Sequence, residues 1–213
     1  GGISRVRNGL QRNTILHQPP HQSQVTVKIN TLQDILVMDP EQDAMMIIAS
    51  LMAVSARTAP KGKGVDTIVT RIVTGNDMDR IADEMIAIGN KTGLPPFPRD
   101  AQNIRDSKVC VLIGCKGAED LGLNCGGCGY QTCKEMREKA SHNPVQSLFT
   151  GPNCVIRMAD LGIAVGSAAK TAQIHNADNR ILFTAGVAAL SLHLLPDCTC
   201  AYGIPLSVTG KNI

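Results

Sequence analysis

Within the stretch GLNCGGCGYQTCKEM, residues Cys125, Cys128 and Cys133 fall inside nine positions and are surrounded by glycine. No other feature restricts the architecture as strongly, because thiols gathered this closely are bridged, bound to metal or kept for redox use. A chain of 213 residues can bury a full core without staples, so its eight cysteines are not explained by a shortage of core. The sequence has no charged start leading through an apolar run to a cleavage site, and no apolar run nears the roughly 20 residues of a membrane span. The expectation is a soluble, cytoplasmic protein with no membrane partner, in a compartment whose reducing conditions turn the thiols toward metal or redox chemistry. Net charge is only +3, and aromatics make up 2% of the chain with no Trp. Neither the basic stripe nor the stacking platform of a nucleic-acid binder is present.

A fourth cysteine, Cys154, follows in GPNC. Four thiolates complete the ligand set of a [4Fe–4S] cluster or of a tetrahedral zinc, and the spacing alone does not decide between them. Glycine favours the cluster. The sulfides of a cubane want backbone N–H donors, and a chain can wrap them closely where Cβ atoms are absent, as at Gly122, Gly126, Gly127 and Gly129. Pro152 stiffens the returning loop beside the fourth ligand. The metal ligands read from the sequence are therefore Cys125, Cys128, Cys133 and Cys154, holding a [4Fe–4S] cluster, with zinc and an unmetallated thiol group as the alternatives. Cys110 sits inside an apolar strand and reads as a buried thiol, and Cys115 directly precedes the glycine-rich stretch. Cys198 and Cys200 alternate along a predicted strand, which would send both to one face as buried hydrophobes.

Residues 1–37 are polar, rich in Gln, His and Pro and without apolar period, which predicts a disordered N-terminal extension. Met38 could be the natural start, because helix-opening signals follow it: Asp39 as cap, Pro40 in the first turn and acidic residues beside them. Residues 38–213 then read as a single α+β domain. In the first helix Met45, Ile48, Met52 and Ser55 share a face that Ile47, Leu51 and Val54 would widen. A strand in VDTIVTRIV follows, then an amphipathic helix capped by Asn76 and stopped by Gly93 and Pro95, then the strand KVCVLIG. Residues 115–154 interrupt the alternation and form an inserted module. A helix over 155–174, a second one capped by Asp178, and a closing strand in CTCAYGIPLSV complete a small sheet flanked by helices.

The loop ARTAPKGKG offers Arg57, Lys61 and Lys63 beside flexible glycines, a combination able to contact a phosphate or a flavin, although an ordinary solvated turn has the same letters. Asp160, Asn179 and Arg180 are explained as well by a salt bridge or a cap as by substrate binding. His142, His175 and His193 are scattered, at no spacing that suits zinc or a nucleophilic triad.

NCGGCGYQTC followed by GPNC resembles the four-cysteine iron–sulfur module of the Rnf-complex ferredoxin subunit and of corrinoid iron–sulfur proteins. Over 38–213, the blocks LMAVSARTAPKGKGVD, RDAQNIRDSKVCVLIG, GLNCGGCGYQTC, DLGIAVGSAAKTA, DNRILFTAGVAAL and GIPLSVTGKNI together resemble a bacterial and archaeal family of uncharacterised proteins described as containing a ferredoxin domain. Within that frame, the first helix, the ARTAPKGKG loop, the strand and the late GIPLS are similar to flavin-dependent nitroreductases. The resemblance implies a nitroreductase-like fold with the cluster module inserted, and homodimerisation. Residues 39–46 contain no arginine to match the Arg-rich segment that grips the flavin phosphate in nitroreductases.

Three functions follow as expectations. The first is an electron carrier or electron-input module serving a redox partner protein or a flavin. The second is an iron–sulfur flavoprotein oxidoreductase using FMN, and the third is a zinc-stabilised interaction domain.

Overall fold

The computed structural model describes residue 1 and residues 39–210. The extension expected over 1–37 lies outside the described residues, apart from Gly1.

Helix α1 spans Pro40–Thr58, and the side chain of Asp39 accepts a hydrogen bond from the Gln42 N–H, as an N-cap should. It buries Met45, Ile48, Ala49, Met52 and Ala56. Ile47, Leu51 and Val54 do not widen that face as the periodicity suggests; they point outward, 62%, 40% and 58% exposed. Small alanines bring α1 close to its neighbour instead. That neighbour is α5 (Val155–Ile174), which buries Leu161, Ala164, Val165, Ala168 and Ala172. Ser55 and Thr171 hydroxyls meet at 2.7 Å across the two helices.

Strand β1 (Ile68–Thr74) leads into α2 (Asn76–Thr92). The cap is Gly75, at φ +52°, and not Asn76, which already lies inside the helix. Helix α3 (Pro96–Arg105) was not expected, because the proline-rich LPPFP reads as a stop; yet Pro at the first turn is compatible with a helix, and Phe97, Ala101 and Ile104 fall on one buried face. Strand β2 (Val109–Cys115) is buried along its whole length. Next come α4 (Cys133–His142), the short strands β3 (Val145–Gln146) and β4 (Thr150–Gly151), and α5. Asp178 does not cap a helix. Asp178–Asn179 forms β5, and α6 starts only at Phe183 and runs to Ser191. Strand β6 (Cys200–Ser207) closes the sheet.

The main sheet has the order β1-β2-β6-β5 and is antiparallel throughout, while β3 and β4 pair separately. Alternation along β2 sends Val111, Ile113 and Cys115 to the layer of α1 and α5, and Cys110 and Leu112 to the layer of α2, α3 and α6. A strand covered on both sides reads as a continuous apolar run, which is why KVCVLIG is recognisable. Helix α6 lies so near β6 that a Cβ at Gly186 would stand 1.9 Å from the Ala201 carbonyl oxygen. Cys198 precedes β6 and packs with the α2, α3 and α6 layer, whereas Cys200 joins the α1 and α5 layer. The two thiols therefore do not share a strand face.

Among the described residues, no helix is long and apolar enough to cross a membrane.

Candidate metal centre

The interruption expected over 115–154 leaves the sheet at the end of β2 and returns at the start of α5. Its first part turns repeatedly through positive φ, at Gly122 (+67°), Asn124 (+47°), Gly126 (+73°) and Gly129 (+87°). Such a path suits glycine and asparagine. The Gly129 N–H closes a turn on the Gly126 carbonyl at 2.9 Å. Asp120 accepts from the Gly122 N–H at 2.8 Å and pairs with Arg137 of α4, tying the loop's beginning to the helix that follows it.

Cys133 is the first residue of α4, with Thr132 as its N-cap accepting from the Glu135 N–H at 3.2 Å. Asn124 and Cys133 are linked twice: the Asn124 N–H points at the Cys133 sulfur at 3.3 Å, and the Cys133 N–H donates to the Asn124 side-chain oxygen at 2.8 Å. An N–H directed at sulfur is the kind of donor that steadies a ligating thiolate. Cys154 is the N-cap of α5, so two of the four sulfurs stand at helix N-termini, where the aligned peptide dipoles favour negative charge.

A small apolar cluster outside the main core holds Leu121, Met136 and Cys154, with Cys128, Tyr130 and Ile156 packed against it. Here Cys128 meets the surroundings of Cys154. Gly127 is pressed against the start of α5 so closely that a Cβ there would lie 2.6 Å from a methyl of Val155. Cys125 is the outermost of the four and is exposed; Cys128 and Cys133 are half-buried and Cys154 is buried. Cys128 and Cys154 thus share one apolar cluster and Cys133 opens the helix that carries its Met136, while among the described residues no three His, Cys, Asp or Glu side chains stand in a ready-made metal-holding arrangement. The donor set fits a metal in its chemistry: sulfur donors only, from a loop whose backbone can turn its N–H groups inward.

Two polar links, one buried and one half-buried, fasten this corner to the domain. The side chain of Arg157 is 2% exposed and donates to the Glu119 carbonyl at 2.9 Å, the Val65 carbonyl at 2.7 Å and the Asp160 carboxylate at 3.3 Å. Asp160 also accepts from the Gly62 N–H at 2.9 Å. The salt-bridge reading of Asp160 therefore describes its contacts, while Arg157 was missed because its surroundings in the sequence carry no motif. The second link joins Asn153, Thr199 and Gly117. The Cys154 N–H donates to the Gly117 carbonyl at 2.8 Å, and Thr199 Oγ1 bonds Asn153 Oδ1 at 2.5 Å.

Arg57, Lys61 and Lys63 do lie near one another in sequence and fold, but their cationic groups already have protein partners. Arg57 donates to Asp66 at 2.6 Å and to the Ile68 carbonyl at 2.7 Å. Lys61 Nζ satisfies the Ala56 and Arg57 carbonyls at the end of α1, at 2.6 and 2.5 Å, and burial lowers its pKa. Lys63 Nζ reaches the Leu121 carbonyl at 2.8 Å, at the threshold of the cysteine loop. A phosphate contact would have to exchange these bonds for new ones.

The thiols outside the corner are of another character. Burial pushes Cys110 and Cys198 up to about 12 and Cys200 up to about 11, and raises Cys115, so all four stay protonated near neutrality. A cleft of about 1110 Å³ lies between α2, the β3–β4 hairpin and the end of α6, with Ile88, Lys91, Phe149, Leu190 and His193 in its walls.

A family model described as "Uncharacterized protein containing a ferredoxin domain (DUF2148)" matches residues 150–213, and one described as "Putative Fe-S cluster" matches residues 122–144. A protein of Archaeoglobus fulgidus, described as an uncharacterised protein, is 43% identical over 177 residues, which span 82% of this chain and 92% of that protein. A nitroreductase from Lactococcus lactis in complex with nicotinic acid superposes with a TM-score of 0.50 at 12% identity, over 79% of this chain and 82% of that one. A nitroreductase with bound FMN from Desulfitobacterium hafniense gives a TM-score of 0.48 at 11% identity, over 78% and 79%. At such identity the likeness to the Lactococcus structure concerns fold alone: the domain is α+β and nitroreductase-like, with a cysteine-rich iron–sulfur region.

Proposed function

The chain belongs to this family of ferredoxin-domain proteins, and from that premise we propose that it is a cytoplasmic [4Fe–4S] redox protein whose task is to pass electrons to or from a redox partner protein or a flavin. The observation that carries this reading is the shared corner: Cys128 packs against the apolar cluster that contains Cys154, and Cys133 opens the helix whose Met136 belongs to the same cluster. Bound there, a [4Fe–4S] centre with four cysteine ligands supplies reversible one-electron chemistry and leaves no iron open to substrate. The chain's own part is to hold and insulate. Asn124 offers an N–H to sulfur, the apolar cluster keeps water from the inner side, and exposed Cys125 marks the edge at which a partner can approach.

A flavoprotein oxidoreductase using FMN is the second reading, supported by the fold alone. It ranks lower because Arg57, Lys61 and Lys63 are engaged by protein oxygens. The zinc-stabilised interaction domain uses the same four thiols and is separated from the first reading by metal analysis.

Purification and reconstitution without oxygen test all three. Brown protein with about four iron and four acid-labile sulfide per chain, bleached reversibly by reductant, is expected, and Cys133→Ala is expected to lose the full cluster. Colourless protein with about one zinc and no sulfide would replace the reading by the third. Flavin released on denaturation would promote the second.

A further inference from the structure

Three segments far apart in the sequence meet beside the fourth cysteine. The Thr199 hydroxyl accepts from the Gly117 N–H at 3.0 Å and bonds Asn153 Oδ1 at 2.5 Å, while Asn153 Nδ2 donates to the Thr150 carbonyl at 2.8 Å. Backbone bonds close the ring: Thr199 N–H to the Cys115 carbonyl at 2.9 Å, Thr150 N–H to the Thr199 carbonyl at 3.1 Å, and Cys154 N–H to the Gly117 carbonyl at 2.8 Å. The ring has no room for a further atom, since a Cβ at Gly117 would stand 2.2 Å from Asn153 Oδ1 and 2.7 Å from Thr199 Oγ1. Both amide atoms of Asn153 are used, and both fix the residue directly before Cys154. Among the described residues, the other three candidate ligands have no such tie to the sheet; their loop is held by Asp120, Asn124 and packing on Val155.

We infer that Asn153 and Thr199 are positioning residues for the cluster: they set where the Cys154 sulfur stands and so decide whether the fourth iron is retained. The inference rests on the [4Fe–4S] reading and adds to it the residues that keep the site four-liganded. Partners that orient a ligand contribute to metal retention although they never touch the metal.

The test uses the full chain, reconstituted anaerobically, with Asn153→Ala, Thr199→Val, Thr199→Ser and, as a control, Ser55→Ala. The control removes a hydroxyl bond between α1 and α5. Iron loss to a chelator, the reduction potential and the EPR spectrum are measured beside the unfolding temperature of the metal-free chains. Asn153→Ala and Thr199→Val are expected to release iron about 10–100-fold more readily than wild type, to show a shifted potential and, after one-electron oxidation with ferricyanide, to show the signal of an oxidised three-iron cluster. Thr199→Ser, which keeps the hydroxyl, is expected to behave as wild type. Wild-type retention, potential and spectrum in Asn153→Ala and Thr199→Val would overturn the inference. So would equal iron loss in Ser55→Ala at a matched drop in unfolding temperature. Wild-type protein that takes up no iron and sulfide removes the [4Fe–4S] reading itself, and the positioning role with it.

Discussion

Cys110 is wholly enclosed, and burial lifts its thiol from an ordinary 9.0 to about 12, with a backbone hydrogen bond at Ile204 offsetting part of the effect. A group that binds its proton more tightly when folded stabilises the fold below its unfolded pKa, and that contribution disappears as the pH rises through the folded value. Stability should therefore fall between about pH 9 and pH 12. Cys198 and Cys200, raised to about 12 and about 11, titrate over the same range. Urea unfolding of the metal-free chain at a series of alkaline pH values checks this: Cys110→Ala should be less stable at neutral pH from lost packing, yet its stability should decline less steeply with pH. Parallel curves for the two proteins would show that the buried thiol is not what titrates.

At the scale of elements, α5 joins core to corner. One face of it packs on α1, its N-cap is Cys154, and its first turn carries Arg157, which holds the 62–65 and 119–121 segments by their carbonyls and Asp160 by charge. Arg157→Ala would leave Asp160 buried without its cation, at a loss of about 3–5 kcal/mol in unfolding free energy. Arg157→Met with Asp160→Asn should recover part of that loss, and equal stabilities of wild type and Arg157→Ala in chemical denaturation would contradict the pair's role. The helix itself was legible from its residues, as were α1, α2 and the three long strands, because each has a strong period or a continuous apolar run. The cysteine-rich iron–sulfur region was legible through cysteine and glycine, whose chemistry is local. What could not be read depended on distant partners: α3 hid behind prolines that its first turn tolerates, β5 exists only because β6 lies beside it, and Arg157, Asn153 and Thr199 acquire meaning only where three stretches of chain meet. Arg57, Lys61 and Lys63 likewise have internal acceptors that their composition does not announce.

For the whole molecule, the outer side of α1 and α5 is unusual in being apolar. Ile47, Leu51 and Val54 on one helix and Ile163 and Ile174 on the other are exposed, and Gly162 and Gly166 have nothing within 4 Å of where a Cβ would be. Mid-helix glycine costs about 1 kcal/mol relative to alanine, and apolar patches on a surface mark sites of association. The homodimer implied by the nitroreductase resemblance would cover this side. Sedimentation should give twice the chain mass, and Ile47→Glu with Ile163→Glu should give monomers of unchanged metal content; a wild-type monomer at all concentrations would exclude it. Ile163 and Ile174 of the exposed stripe lie on α5, a helix 20 residues long whose N-cap is Cys154. Two copies joined along such rigid rods would keep their sulfur-rich corners at a constant separation, so charge taken up singly at each end could be delivered in pairs.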